Sequence, residues 1–175
     1  MKTTAHSILS CFSVAIAAVS VIFLLTSVHA ATIHAPSRPP LVREMPPVDD
    51  AEQHAVLAPI TEMFDGMAKR DAAAIRKPVL SGGSMVLMRD GKPTQMTFEE
   101  FAGRVGKPGT TKIEERIHDP LIRIDHDLAV VWAPFEFLVD GKVDHCGTDL
   151  FNLVRVDGKW IIASVADTGR KDCVR

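Results

Sequence analysis

Between Leu128 and Thr168 the chain carries three runs rich in Val, Ile, Leu, Phe and Trp, separated by Asp140-Gly141 and Asp157-Gly158. Asp-Gly between apolar runs marks a two-residue type I′ turn, which needs positive φ at both central residues. The pattern predicts three consecutive antiparallel strands. With Asp140-Gly141 as the loop, Val139 faces Lys142, Leu138 faces Val143, Glu136 faces His145, Pro134 faces Gly147 and Trp132 faces Asp149. Side chains alternate faces along a strand, so one face presents Trp132, Glu136, His145, Asp149 and Phe151. The second turn sets Arg155 opposite Trp160, Leu153 opposite Ile162 and Phe151 opposite Ser164. Pro134 cannot donate to the ladder and is the place where a bulge would shift this pairing.

Upstream the period changes. Val56, Ile60, Met63, Phe64 and Met67 recur at helical spacing behind Asp49 and Glu52, a pair that resembles a capping box. Pro59 inside this stripe predicts a kink or a restart. Asp71 caps a short helix over Ala72 to Lys77, which Pro78 stops. Ser81-Gly82-Gly83 reads as a loop, and Met85 to Met88 turns through Arg89-Asp90-Gly91-Lys92 into Thr94 to Met96. Thr97 and Glu100 make a capping box for a third helix with Phe98, Phe101 and Val105 on its apolar side, ended by Lys107-Pro108-Gly109. Lys112 to Ile124 reads as one strand, turned by Asp125-His126-Asp127. A turn of two or three residues there places either Ile117 or Arg116 opposite Glu136. The expected fold is α+β: one strongly curved, mostly antiparallel sheet with about three N-terminal helices on its concave side.

Composition changes this picture only at the ends. Residues 1–30 carry Lys2 as their single charge, an apolar run from Ile8 to Leu25, and Val28-His29-Ala30 before Ala31. This is the layout of a signal peptide cleaved after Ala30, with an uncleaved anchor as the alternative. It implies a secreted or periplasmic protein with no membrane contact after cleavage. Residues 31–48 hold Pro36, Pro39, Pro40, Pro46 and Pro47 and read as an extended linker. The domain is expected over 49–170, with a polar tail at 171–175. A formal net charge of −2 implies no nucleic-acid partner. Cys146 and Cys173 remain after the leader; an oxidising compartment permits their pairing without requiring it.

The candidate chemistry sits on the strand face. Glu136 and His145 would form an acid–base dyad, the carboxylate orienting the imidazole, with Asp149 assisting. The plainer reading is a cross-strand pair on a wet face, worth roughly 0.2–1 kcal/mol. Trp132, Phe151 and Phe64 would line the pocket, with Arg116 and His118 at its rim. Asp65 points either into the pocket mouth or to solvent. Cys146 faces away from His145, which disfavours a Cys-His nucleophile. Glu136, His145 and Asp149 lack the spacing of a closed metal site, and no cofactor is implied. Two uses of such a face follow: binding of a small, largely apolar molecule, or acid–base catalysis. The opposite face, read as Phe135, Phe137, Leu150, Val154, Ile161 and Val165, is apolar and predicts a homodimer.

The element order, Phe64-Asp65-Gly66-Met67-Ala68-Lys69-Arg70-Asp71 closing the first helix, and Val154 to Ile162 as a penultimate hairpin resemble the nuclear transport factor 2-like superfamily. That superfamily contains ketosteroid isomerase, scytalone dehydratase and the SnoaL-like cyclases. The likeness spans Asp50 to Thr168 and implies a single cone-shaped domain. Trp132-Ala133-Pro134-Phe135-Glu136-Phe137 and His145-Cys146-Gly147 resemble a secreted bacterial branch labelled lumazine-binding-like. The resemblance is specific for fold and weak for function, because the superfamily includes enzymes and non-catalytic proteins. The chain has no Tyr, so the oxyanion-hole tyrosine of ketosteroid isomerase has no counterpart.

Overall fold

Side-chain caps start all three helices of the computed structural model, which describes residues 47–173. The expected leader, most of the linker and the final two residues of the tail lie outside the described residues. Helix α1 (Asp50–Ala68) begins where the Asp49 carboxylate accepts from the Glu52 N–H at 2.8 Å. Glu52 does not complete the box; its carboxylate turns to Arg155 and to the Trp160 indole N–H. The helix runs unbroken through Pro59, whose ring is buried in the core. Asp71 caps α2 (Ala72–Arg76) by accepting from Ala73 and Ala74 at 2.9 and 3.0 Å. Thr97 and Glu100 form the reciprocal box of α3 (Phe98–Val105). Each such cap is worth about 1 kcal/mol.

Among the described residues seven strands follow the order β2-β1-β7-β6-β5-β3, with β4 also paired to β5. They are β1 (Val79–Arg89), β2 (Lys92–Thr97), β3 (Ile113–Ile117), β4 (Leu121–Asp125), β5 (Leu128–Val139), β6 (Lys142–Val156) and β7 (Lys159–Arg170). Only β1 and β7 run parallel. Ser81 to Gly83 is not a loop but part of β1, where pairing with β7 is irregular between Val79 and Ser84. The single strand expected over Lys112 to Ile124 is two, broken at His118-Asp119-Pro120, where Asp119 takes φ 42°. The following turn is the two-residue one, Asp125 opposite Leu128. The extra residue at the break then brings Arg116 opposite Glu136.

Both Asp-Gly turns form as expected, with φ 49° and 78° at Asp140-Gly141 and 50° and 75° at Asp157-Gly158. The register they set does not persist. Leu138 still faces Val143, but Phe137 faces His145, so Asp144 is an extra residue. Leu153 still faces Ile162, but Asn152 faces Ser164, so Ala163 is extra. The reason is burial. Without the first bulge, Val131 and Ala133 would share a face with Leu150 and Thr148; with it, they share one with Phe151 and Asp149. A one-residue slip flips every side chain, and the pairing that buries Val131, Phe151 and Leu153 together wins. Pro134, the expected site of the bulge, sits in a continuous stretch of the ladder, opposite Thr148 rather than Gly147.

The inner face packs on α1 through Val56, Ile60 and Met63 against Val131, Leu153 and Ile162, all essentially inaccessible. Each such side chain contributes roughly 1.5–3 kcal/mol. The bulges also redistribute the outer face. Phe135 and Val165 are buried and Phe137 packs against the core, so none of them belongs to the outer surface as expected. Trp132, 52% exposed, takes their place there in a row with Leu121, Leu150 and Ala166. Cys146, also outward, pairs with Cys173 across a Cα separation of 5.7 Å. This selects the disulfide from the two states the sequence leaves open.

Candidate functional site

Alternation along β6 turns His145, Gly147, Asp149 and Phe151 inward, beneath α1 and α3. Gly147 is required here: a Cβ would overlap the Thr168 carbonyl oxygen and press on the Phe135 ring. Phe135 therefore packs directly over Gly147. With Phe64, Phe137 and Phe151 and with Met63, Met67 and Met85 it walls a cavity of about 190 Å³. Phe64 and Phe151 meet edge to face at 6.1 Å. His145 stacks on Phe137 at 4.9 Å, and its Nδ1 lies 2.9 Å from Asp144 Oδ2. The Lys171 ammonium donates to the other Asp144 oxygen at 2.9 Å. Both hydrogen bonds hold the Asp144 carboxyl below the usual carboxylate range.

Four charged side chains reach the same apolar space: Arg89 from β1, Glu115 from β3, Asp149 from β6 and Asp167 from β7. Arg89 donates to both oxygens of Asp167, at 2.5 and 2.7 Å, and to the Met88 carbonyl at 2.9 Å. Gly169 leaves room for this, since a Cβ there would lie 2.7 Å from the guanidinium. The Asp167 hydrogen bond raises the Arg89 pKa further.

Asp149 is 2% exposed, and no N–H or hydroxyl of the described residues donates to its Oδ2. Burial, then the Glu115 and Asp167 charges, push its carboxyl well above the carboxylate range. Burial also pushes Glu115 up to about 7, against the pull of its hydrogen bond with Asp149. A hydrogen bond between two carboxyls needs a proton, so the two titrate as a pair sharing one. Such a pair can accept a hydrogen bond, donate one, or exchange a proton near neutrality.

Of the residues expected at the site, the fold brings His145, Asp149, Phe151 and Phe64 together around the cavity. It separates the others. Glu136 is one register position from His145 and on the opposite face, where its Oε2 lies 3.4 Å from His118 Nε2. The Glu136–His145 dyad is therefore not formed; the Asp144 bulge turned one partner away. Trp132 points outward, away from Asp149. Arg116 pairs with Glu114 on the exposed face at 2.5 Å, so neither it nor His118 rims the cavity. Asp65 is exposed.

The residues missed are Arg89, Glu115 and Asp167. Their signal is an acid or base that continues an inward apolar period: Ile113-x-Glu115-x-Ile117, Val165-x-Asp167 and Met85-x-Leu87-x-Arg89. Among the described residues no three His, Cys, Asp or Glu side chains converge as a metal-holding group.

The sequence model of the family described as "Putative lumazine-binding" matches residues 51–166. No curated protein matches the chain. Solved structures with the same fold include an NTF2-like protein of unknown function from Shewanella baltica OS155. It is 20% identical, with a TM-score of 0.56 over 71% of this chain and 98% of that one. An NTF-2-like protein of unknown function from Silicibacter pomeroyi DSS-3 is 18% identical, with a TM-score of 0.55 over 70% of this chain and 100% of that one. An NTF2-like protein from Cytophaga hutchinsonii is 16% identical, with a TM-score of 0.57 over 70% of this chain and 100% of that one.

Proposed function

The chain belongs to the lumazine-binding-like family of nuclear transport factor 2-like cones, and from that premise we propose that it binds a small, largely apolar molecule in the cavity under α1 and α3. The observation that carries this reading is the Asp149 carboxyl, almost wholly buried beside Glu115 in a mainly apolar cavity, with no N–H or hydroxyl donor on its Oδ2. Leaving such an atom unsatisfied costs roughly 1–3 kcal/mol, which a ligand donor would recover. Apolar walls with a few convergent polar groups are the usual make-up of a ligand pocket. The leader-like N-terminus supports a secreted or periplasmic setting.

Methionine methyl NMR tests the reading without knowledge of the ligand. Benzene titrated into the protein should move the Met63, Met67 and Met85 methyl signals and leave Met88, which does not line the cavity, unchanged. Unmoved cavity methyls at saturating benzene overturn it.

A second reading rests on Glu115. A carboxyl held at about 7 suits general acid–base catalysis at neutral pH. In an enzyme of the isomerase or dehydratase type, the Glu115–Asp149 pair would move the proton in place of Glu136 and His145. A homodimer is proposed through the outer sheet face, now carried by Trp132, Leu121, Leu150 and Ile161. Leu121 and Trp132 are 50% and 52% exposed. Sedimentation should find a dimer that Trp132→Glu converts to monomer, and a monomeric parent protein at high concentration overturns the proposal.

A further inference from the structure

We propose that the cavity selects a protonated amine on a single aromatic or similarly compact apolar body; this rests on the binding reading above and names its ligand class. The charges facing the space decide the sign. Helices α1 and α3 contribute Met63, Phe64, Met67, Phe101 and Val105, all uncharged, and β5 contributes Phe135 and Phe137. The titratable and charged groups are Arg89 on β1, Glu115 on β3, His145 and Asp149 on β6, and Asp167 on β7. Arg89 is engaged by Asp167 and the Met88 carbonyl, and His145 by Asp144. Arg89 also attracts Glu115 and Asp149, but one guanidinium faces three carboxyls, and Glu115 and Asp149 are kept from full ionisation by a shared proton.

An ammonium group supplies what this pair lacks. It brings positive charge and three donors, one of which can meet Asp149 Oδ2. Its charge lies among phenyl rings, which attract cations through their faces. A carboxylate ligand would meet like charge, and an alcohol would offer a donor with no charge to balance the pair. The size is matched as well. A cavity of ~150 Å³ lined by Leu, Ile and Phe holds benzene; this one measures about 190 Å³ and so takes one ring with a short arm. The proton balance is definite. As R–NH₃⁺ enters with its own proton, the proton shared by Glu115 and Asp149 passes to solvent, and both carboxyls become carboxylates.

The test uses benzylamine, benzyl alcohol, benzoate and benzene on the oxidised protein. Calorimetry in two buffers of different ionisation enthalpy at pH 7 reads affinity and proton release together. Benzylamine should bind at least about tenfold more tightly than benzyl alcohol, the scale of a charge-assisted hydrogen bond. Benzoate should bind weakest, and proton release should accompany benzylamine alone. Glu115→Gln, which keeps the shape, should abolish the preference for amine over alcohol and the proton release. Alcohol or benzoate binding as well as the amine, with benzene still moving the cavity methyls, overturns the amine inference and leaves the binding reading in place. If benzene too leaves the Met63, Met67 and Met85 signals unmoved, both fall.

Discussion

Replacing Cys173 with Ser should lower the stability of the oxidised protein by about 3.5 kcal/mol, the loop-closure value for a bridge between residues 27 apart. The tail makes few other ties. Lys171 reaches Asp144, and Cys146 faces Arg170 in the β6–β7 ladder. Without the bridge the last ladder pairs are free to fray. The loss should extend to the cavity, because Asp144 contacts Lys171 with one oxygen and His145 Nδ1 with the other. Urea unfolding of parent and Cys173→Ser reads the stability. Ring-proton shifts of His145 read the second effect, with His54 on α1 as reference. An unchanged unfolding midpoint would show that the bridge does not constrain the unfolded chain.

Most of the architecture is legible in local chemistry. Asp49, Asp71 and Thr97 each mark a helix start that forms. Asp140-Gly141 and Asp157-Gly158 each mark a turn that forms, because both are settled by a few neighbouring residues. Register is different in kind. The first turn dictates pairing for two steps and the second for four, and then a competing demand takes over from residues far along the strands. Val131 and Ala133 on β5 must share a face with Phe151 and Asp149 on β6, and only an extra residue at Asp144 allows it. The same conflict in β6 and β7 places the extra residue at Ala163.

Face assignments inherit this. His145 and Asp149 were recognisable as inward because β6 alternates strictly from Phe151, whereas Glu136 was assigned across the bulge and so to the wrong side. Glu115 was a matter of pairing too: β3 shares its face with β5 only through the break at Asp119, which a count from the turn does not include. The charged groups that converge come from four strands, β1, β3, β6 and β7. Each was visible as a break in an apolar period, but their convergence depends on the parallel β1–β7 pairing, for which the sequence carries no local signal. The cavity therefore joins a part read from one strand, His145 and Asp149, to a part that exists only in the assembled sheet.

That assembled part governs the pH dependence of stability. Burial raises both Glu115, to about 7, and Asp149 above their ordinary values. A raised pKa means that the folded state holds protons the unfolded chain has released. The corresponding stability is full below about 4.5, where unfolded Glu115 is also protonated, and is lost as pH rises through about 7. At about 1.4 kcal/mol per unit, the Glu115–Asp149 pair together accounts for a decline of a few kcal/mol that begins in this window. The opposite slope, from Glu99, Glu100, Glu114 and Asp144, whose carboxyls are lowered by their partners, lies at more acid pH. Those groups are on the surface, where such pairs contribute little. Stability should thus fall between pH 5 and pH 8. Glu115→Gln removes one of the two titrating groups and relieves Asp149 of a neighbouring charge. The variant should match the parent near pH 5 and exceed it at pH 8, with a shallower slope. Urea unfolding at pH 5, 6, 7 and 8 measures both lines. Parallel lines, or parent stability rising toward pH 8, would mean that Glu115 and Asp149 are not held together in the cavity.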